Sequence, residues 1–72
     1  MSCFSSRLKQ CRLAKGLTQK QMAGILKINE RSYQNYEGGD RTPNLEGLIA
    51  LADFFDVSLD YLVGRSDNSG QH

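Results

Sequence analysis

Four polar side chains that could recognise the edges of nucleic-acid bases lie within one stretch of six residues: Glu30, Arg31, Gln34 and Asn35. Arginine pairs with guanine, glutamine and asparagine pair with adenine, and glutamate accepts a hydrogen bond from the cytosine amine. On a helix, Arg31, Gln34 and Asn35 would share the solvent side. Their types and spacing predict a helix that reads base edges in a major groove.

The other side of this predicted helix has only two large apolar side chains, Tyr33 and Tyr36, with Glu37 beside them. A helix of about nine residues with so little apolar surface is not stable alone in water. Other segments must therefore pack against the two tyrosines, and the rest of the chain is expected to supply them.

Three further residues are candidates for contacts with backbone phosphates: Gln19, Lys20 and Arg41. Gln19 lies in the first turn of a predicted helix, where free N–H groups and the helix dipole favour an anion, and Lys20 follows it. Arg41 comes after Gly38 and Gly39, whose backbone freedom would let the loop approach a DNA strand. The alternative is that these polar side chains are only solvated and that the glycines only end a helix.

Apolar spacing and capping residues predict five helices and no strand, and hence an all-α fold. Thr18, Asn29 and Ser58 are expected N-caps, and Gln21 completes a capping box with Thr18. The predicted helices span residues 4–15, 19–26, 29–37, 44–55 and 59–63. The inward stripe of the fourth is expected to comprise Leu45, Leu48, Leu51, Ala52 and Phe55. Helices 2 and 3, joined by a short turn, have the outline of a helix-turn-helix unit.

Arg12 shares a face of the first helix with Leu8 and Cys11, where an apolar residue would be expected. An arginine against the core is costly unless it finds a carboxylate. Glu37, at the end of the third helix, is the expected partner. An exposed Arg12 is the alternative.

The chain has 72 residues, of which 39% are hydrophobic and 24% charged, as in a single small globular domain. Residues 1–65 are expected to form this domain and residues 66–72 a disordered polar tail. The chain has neither an apolar run that could span a bilayer nor the layout of a signal peptide, so a cytoplasmic protein without a membrane partner is predicted.

The net charge of +1 hides an asymmetry along the chain. Residues 1–27 contain six lysines and arginines and no acid, whereas residues 28–72 contain three arginines and eight acids, a net charge of −5. A basic part can contact phosphates while an acidic part faces away from a polyanion. The alternative is mixed surface charge without a function.

The residues do not suggest catalysis. Cys3 and Cys11 are eight residues apart, and the only histidine is His72. This spacing matches no zinc site, and there is no glycine-rich phosphate loop. Cys11 is expected to pack as a small hydrophobic residue. We therefore predict that the protein is not an enzyme and that it binds no metal or other cofactor and no small-molecule ligand.

Leu13, Ile49, Phe54 and Tyr61 remain outside the predicted inward stripes. Phe54 and Tyr61 would form a homodimer surface if they cluster where helices 4 and 5 meet. Isolated exposed residues are the alternative, since scattered apolar side chains are normal on a surface.

A set of short motifs resembles the Cro/repressor-type (Xre-like) helix-turn-helix family over residues 5–65: Gly16-Leu17-Thr18-Gln19, Met22-Ala23, Tyr36-Glu37-Gly38, Thr42-Pro43 and Val57-Ser58-Leu59-Asp60-Tyr61-Leu62. The resemblance is greatest to short repressors of phages and mobile elements in Gram-positive bacteria. It implies a compact, lambda-repressor-like domain of five helices in which helices 2 and 3 form the DNA-binding unit.

The resemblance also implies roles for individual residues. Gln19 matches the family's glutamine that grips a phosphate, and Arg12 and Glu37 match its buried Arg–Glu pair. The positions that commonly touch bases are occupied here by Glu30, Arg31 and Asn35, with Gln34 beside them.

Two residues depart from the family pattern. Lys27 occupies the turn position where the family usually has a left-handed glycine, so it should carry roughly 1–2 kcal/mol of strain. Tyr33 replaces a smaller aliphatic residue, so the packing between helices 2 and 3 must adjust.

Residues and resemblance together predict a sequence-specific regulator that binds double-stranded DNA, a repressor acting as a dimer on an inverted-repeat operator. A different class of function is the alternative: a protein-interaction module of the same fold, either an antitoxin-like partner or an antagonist of a related repressor. The net negative charge of residues 28–72 is compatible with that alternative.

Overall fold

The computed structural model describes residues 4–64, and within this range the backbone forms five helices and no strand. They are α1 (Phe4–Ala14), α2 (Gln19–Leu26), α3 (Glu30–Gly38), α4 (Leu45–Phe55) and α5 (Leu59–Leu62). The predicted all-α fold is confirmed. With at most 11 residues, none of these helices could reach across a bilayer. Cys3 and the predicted tail lie outside the described residues.

Each helix from α2 to α5 begins after a polar residue whose side chain accepts a backbone hydrogen bond: Thr18, Asn29, Asn44 and Ser58. The hydroxyl of Thr18 accepts from the N–H of Gln21 at 3.1 Å, and the side-chain oxygen of Gln21 accepts from the N–H of Thr18 at 2.8 Å. This is the predicted capping box, which satisfies two backbone donors at the helix end. Local polar residues therefore set where the helices start.

The core collects apolar side chains from all five helices and from the α4–α5 connection: Leu8, Met22, Ala23, Tyr33, Leu51, Ala52, Phe55, Val57 and Leu62. Helix α3 packs against α1 and α2, while α5 packs against α1 and α4. Tyr33 is fully buried, so the junction of α2 and α3 accommodates a whole tyrosine ring. The core thus holds α3 by one side.

Leu45 contradicts the predicted inward stripe of α4. Its side chain is 63% exposed, whereas Leu51, Ala52 and Phe55 of the same stripe are buried. Leu45 is the first residue of α4, and helical side chains tilt towards the N-terminus. Its side chain therefore lies beyond the part of the helix that faces the core, and the expectation that it points inward was wrong.

Two glycines inside helices have opposite surroundings. A Cβ atom added at Gly24 in α2 would meet no atom within 4 Å. A Cβ atom at Gly47 in α4 would lie 2.9 Å from the Cβ atom of Pro43 and 3.3 Å from Oδ1 of Asn44. The α4 glycine thus allows the preceding loop to approach the helix closely.

We expect Gly24→Ala to raise the free energy of unfolding by about 1 kcal/mol, because alanine restricts the unfolded chain and favours the helix. We expect Gly47→Ala to lower it by about 1 kcal/mol, because crowding against Pro43 outweighs the same gain. Urea unfolding of the two variants measures both changes. Equal stabilisation by both substitutions would contradict the close approach at Gly47.

Candidate nucleic-acid interface

A buried ion pair between α1 and α3 holds the third helix in place. Arg12 Nε lies 2.6 Å from Glu37 Oε2, and Arg12 Nη2 lies 3.2 Å from Glu37 Oε1. The two side chains are only 10% and 5% exposed. Arg12 Nη1 also donates to the carbonyl of Leu17 at 2.8 Å, which fastens the loop between α1 and α2. The structure thus gives this arginine the carboxylate that its burial requires.

The carboxylate of Glu37 accepts two further hydrogen bonds. The hydroxyl of Tyr33 donates to Oε2 from within α3, and Nε2 of Gln19 donates to Oε1 from α2 at 3.2 Å. One carboxylate therefore joins side chains of α1, α2 and α3. The orientation of α3 relative to the other two helices depends on this group.

The surroundings of Glu37 fix the charge states of the cluster. Burial opposes its ionisation, but hydrogen bonds from Arg12, Tyr33 and Gln19 and the charge of the arginine prevail and hold its pKa below the usual value. Burial, together with the hydrogen bond to the carboxylate, raises the pKa of Tyr33. At neutral pH the carboxylate is therefore charged and the tyrosine is a neutral donor.

The outer side of α3 presents the four side chains that were predicted to read bases. Glu30, Arg31 and Gln34 are exposed, and Asn35 is half-buried. Nε2 of Gln34 lies 3.4 Å from Oε2 of Glu30, a long and exposed contact. A hydrogen bond of this length is weak, so either side chain can exchange it for a base edge. The structure brings all four candidates together on one helix.

The three residues predicted to contact phosphates differ in their exposure and in the hydrogen bonds that they make within the chain. Lys20 and Arg41 are exposed, whereas Gln19 is half-buried and uses one amide hydrogen on Glu37. An amide has two such donors, so the bond to Glu37 uses only one N–H of Gln19. The backbone N–H of Arg41 donates to the carbonyl of Asn35 at 3.2 Å, so the loop that carries Arg41 is tied to the last turns of α3.

Arg7 is a buried residue that the sequence reasoning missed. It is only 4% exposed. Its guanidinium carbon lies 3.9 Å from the centroid of the Tyr61 ring, and Nη1 donates to the carbonyl of Tyr61 at 3.2 Å. Arg7 precedes Cys11 by four residues, so a shared helix face was the only available signal of its burial. The side chain joins α1 to α5.

The burial of two arginines reduces the charge available for phosphate contacts. Four of the six basic side chains in residues 1–27 are exposed: Lys9, Lys15, Lys20 and Lys27. Arg7 and Arg12 are buried. The exposed basic charge of this part of the chain is therefore +4, compared with the +6 counted from the sequence.

Phe54 and Tyr61, the residues predicted to form a dimer surface, are half-buried. Nζ of Lys15 lies 5.2 Å from the centroid of the Phe54 ring, which also packs in a T-shaped arrangement against Phe55 at 5.1 Å between centroids. Arg7 covers part of the Tyr61 ring in the same way. Contacts within the chain therefore occupy part of both rings.

Comparison with known proteins gives consistent matches. A sequence profile described as helix-turn-helix matches residues 8–62. The chain is 46% identical over 65 residues to the uncharacterized HTH-type transcriptional regulator YqaE of Bacillus subtilis, covering 90% of this chain and 56% of that protein. It is 42% identical over 62 residues to the cryptic phage CTXphi transcriptional repressor RstR of Vibrio cholerae, covering 86% and 55% respectively.

A solved structure has the same arrangement of helices. The crystal structure of a transcriptional regulator from Listeria innocua matches with a TM-score of 0.80 and 36% sequence identity, covering 85% of this chain and 57% of that one. The chain spans about half the length of the proteins that it matches. The shared part is the helical domain described above.

Proposed function

Because the chain belongs to the helix-turn-helix family, we propose that it binds double-stranded DNA as a sequence-specific, Xre-like transcriptional repressor. The observation that carries this proposal is the two-sided character of α3. Tyr33 and Glu37 fix one side in the core, while Arg31 and Gln34 are exposed on the other. Base readout requires forked polar side chains on a helix that is held rigidly from behind.

Phosphate contacts would set the docking of the domain. We propose these contacts for the free N–H of Gln19, for the exposed side chains of Lys20 and Arg41, and for the N-terminal N–H groups of the helices. Arg31 would then read guanine, while Gln34 and Asn35 would read adenine. Glu30 would accept from a cytosine amine and repel phosphates, so it would raise selectivity more than affinity.

The proposed operator is an inverted repeat bound by two copies of the chain. Two copies of α3 must then lie about 34 Å apart to enter successive major grooves on one side of the duplex. Phe54 and Tyr61 of α4 and α5 are the proposed contact between the copies, because both residues are only half-buried within one chain. The relationship to a phage repressor supports the repressor role.

We expect Arg31→Ala to weaken binding to the operator by about 1–3 kcal/mol and to relax one base position in each half-site, because a bidentate contact to guanine is lost. Selection of bound fragments from genomic DNA, followed by mobility-shift titration of the recovered sequence, measures both effects and the number of chains bound.

The matched control is Arg41→Ala, which removes a proposed phosphate contact and should weaken binding to all sequences alike. If the wild-type chain bound the selected fragments and random DNA with equal affinity, sequence-specific recognition would be excluded.

The second candidate function, a protein-interaction module, is favoured by the outer side of α4. Exposed acids and aliphatic side chains alternate there: Leu45, Glu46, Ile49 and Asp53. Such a mixed surface suits an antitoxin-like contact or an antagonist of a related repressor. Copurification of a stoichiometric protein partner by a chain that retards no DNA fragment would favour this function over DNA binding.

A further inference from the structure

Lys27 ends α2 in a backbone conformation that suits glycine better than lysine. Its φ and ψ angles are 59° and 40°, in the left-handed region, and its N–H donates to the carbonyls of Ala23 and Gly24. A residue with a Cβ atom crowds the following carbonyl there, whereas glycine does not. Lysine in the turn between α2 and α3 is therefore less favourable for the stability of the fold than glycine would be.

No side-chain hydrogen bond or ion pair of Lys27 within the described part of the chain offsets this strain. Lys27 is exposed. Among residues 4–64, its ammonium group has no hydrogen-bond or ion-pair partner. Backbone strain at a residue whose side chain makes no such contact is often found at functional positions.

Asp56 is the natural comparison, because it ends α4 in nearly the same geometry. Its φ and ψ angles are 57° and 46°, and its N–H donates to the carbonyls of Ala52 and Asp53. Aspartate tolerates the left-handed region because its short side chain can bond locally, and lysine lacks that option. The two turns therefore differ in the charge that they carry and in the helix that follows.

We propose that Lys27 contacts a DNA phosphate beside the groove that α3 enters, an inference that rests on the DNA binding proposed above. Lys27 lies three residues before Glu30, the first residue of α3. In helix-turn-helix complexes it is the N-terminal part of the recognition helix that contacts the bases. An exposed, unpaired ammonium group on a long flexible stem at this point is suited to a phosphate oxygen.

The test compares glycine substitutions at the two left-handed positions. The probe is a fluorescein-labelled, mixed-sequence duplex of about 24 base pairs, because phosphate contacts do not depend on the operator sequence. Fluorescence anisotropy at several salt concentrations yields the affinity and the slope of log K against log salt. Thermal unfolding of the same samples yields Tm.

We expect Lys27→Gly to raise Tm by about 4 °C, because it relieves the backbone strain. The same variant should bind DNA roughly fivefold more weakly, with a slope shallower by about 0.9 for each bound chain, because each chain loses one phosphate contact. Asp56→Gly should also raise Tm, by a smaller amount, and should keep the wild-type affinity and slope.

Two further variants separate charge from backbone flexibility. Lys27→Arg keeps the charge and should keep the slope. Asparagine is neutral and tolerates the left-handed region, so the salt dependence of Lys27→Asn should be as shallow as that of Lys27→Gly.

If both Lys27→Gly and Lys27→Asn kept the wild-type slope of log K against log salt, this inference would be overturned and the proposed function would stay intact. A lower Tm for Lys27→Gly would show that the turn is not strained and would also overturn it. A slope near zero for the wild-type chain would instead overturn the proposed DNA binding itself.

Discussion

Replacing Glu37 with alanine is expected to lower the free energy of unfolding by about 3–5 kcal/mol, because the Arg12 guanidinium stays buried without its counter-charge. The substitution also removes the acceptor for the Tyr33 hydroxyl and the Gln19 amide. A folded chain of 72 residues has a total stability of about 4–11 kcal/mol. The variant should therefore lose a large part of its folded population, which urea unfolding followed by circular dichroism measures.

The matched control is Glu30→Ala, an exposed glutamate on the same helix. A substitution at such a position usually changes stability by no more than about 0.5 kcal/mol. If Glu37→Ala cost as little as Glu30→Ala, the ion pair could not be the link that holds α3 to α1.

The lowered pKa of Glu37 makes stability depend on pH. An unfolded glutamate titrates near 4.5, and the folded group titrates below this value. The ionised pair therefore contributes its full stabilisation above about pH 5 and loses it as the pH falls through the lowered pKa. In the variant Glu37→Gln, unfolding measured across this acidic range should show a flatter dependence on pH.

Raising the salt concentration from 50 to 200 mM is expected to weaken operator binding by about a thousandfold. If a dimer neutralises about six phosphates, counterion release sets a slope of log K against log salt near −5. A fourfold rise in salt then lowers the binding constant by about 4⁵. Anisotropy titrations with the selected operator across this range measure the slope.

Two single substitutions check the origin of the salt dependence. Lys20→Ala and Arg41→Ala should each reduce the steepness by about one for each phosphate contact removed. In contrast, Asp53→Asn removes an exposed acid from α4 and should leave the slope unchanged. A slope of log K against log salt near zero for the wild-type chain would mean that the exposed lysines and arginines do not contact a polyanion.

Features that depend on local rules could be predicted from the sequence. Thr18 and Asn29 cap their helices as expected because a capping bond joins residues only three apart. The pairing of Arg12 with Glu37 joins residues 25 apart, but it could be predicted because an arginine in an apolar stripe demands a carboxylate and the family resemblance places one at Glu37. The candidate site followed from residue types on one short helix.

Other features that depend on which helix faces meet could not be predicted. Arg7 and Tyr61 are 54 residues apart, and no local pattern indicates that α1 and α5 bring them together. Nor does spacing show that Leu45, at the very start of α4, lies beyond the core. The exposed basic charge of residues 1–27 was overcounted, because the burial of Arg7 was not predicted and that of Arg12, although expected, was not subtracted.

The shared carboxylate of Glu37 also constrains how this domain can evolve. Mutation of either Arg12 or Glu37 alone passes through a chain with an unpaired buried charge, so drift at one position is blocked unless the other changes with it. Recombination that joins the first helix of one homologue to the third helix of another would preserve folding only where both parents contribute compatible residues. Arg31 and Gln34, the residues proposed to read bases, are exposed and free of this restriction. Under the proposed function, substitutions there would change the operator while the anchoring residues are inherited together.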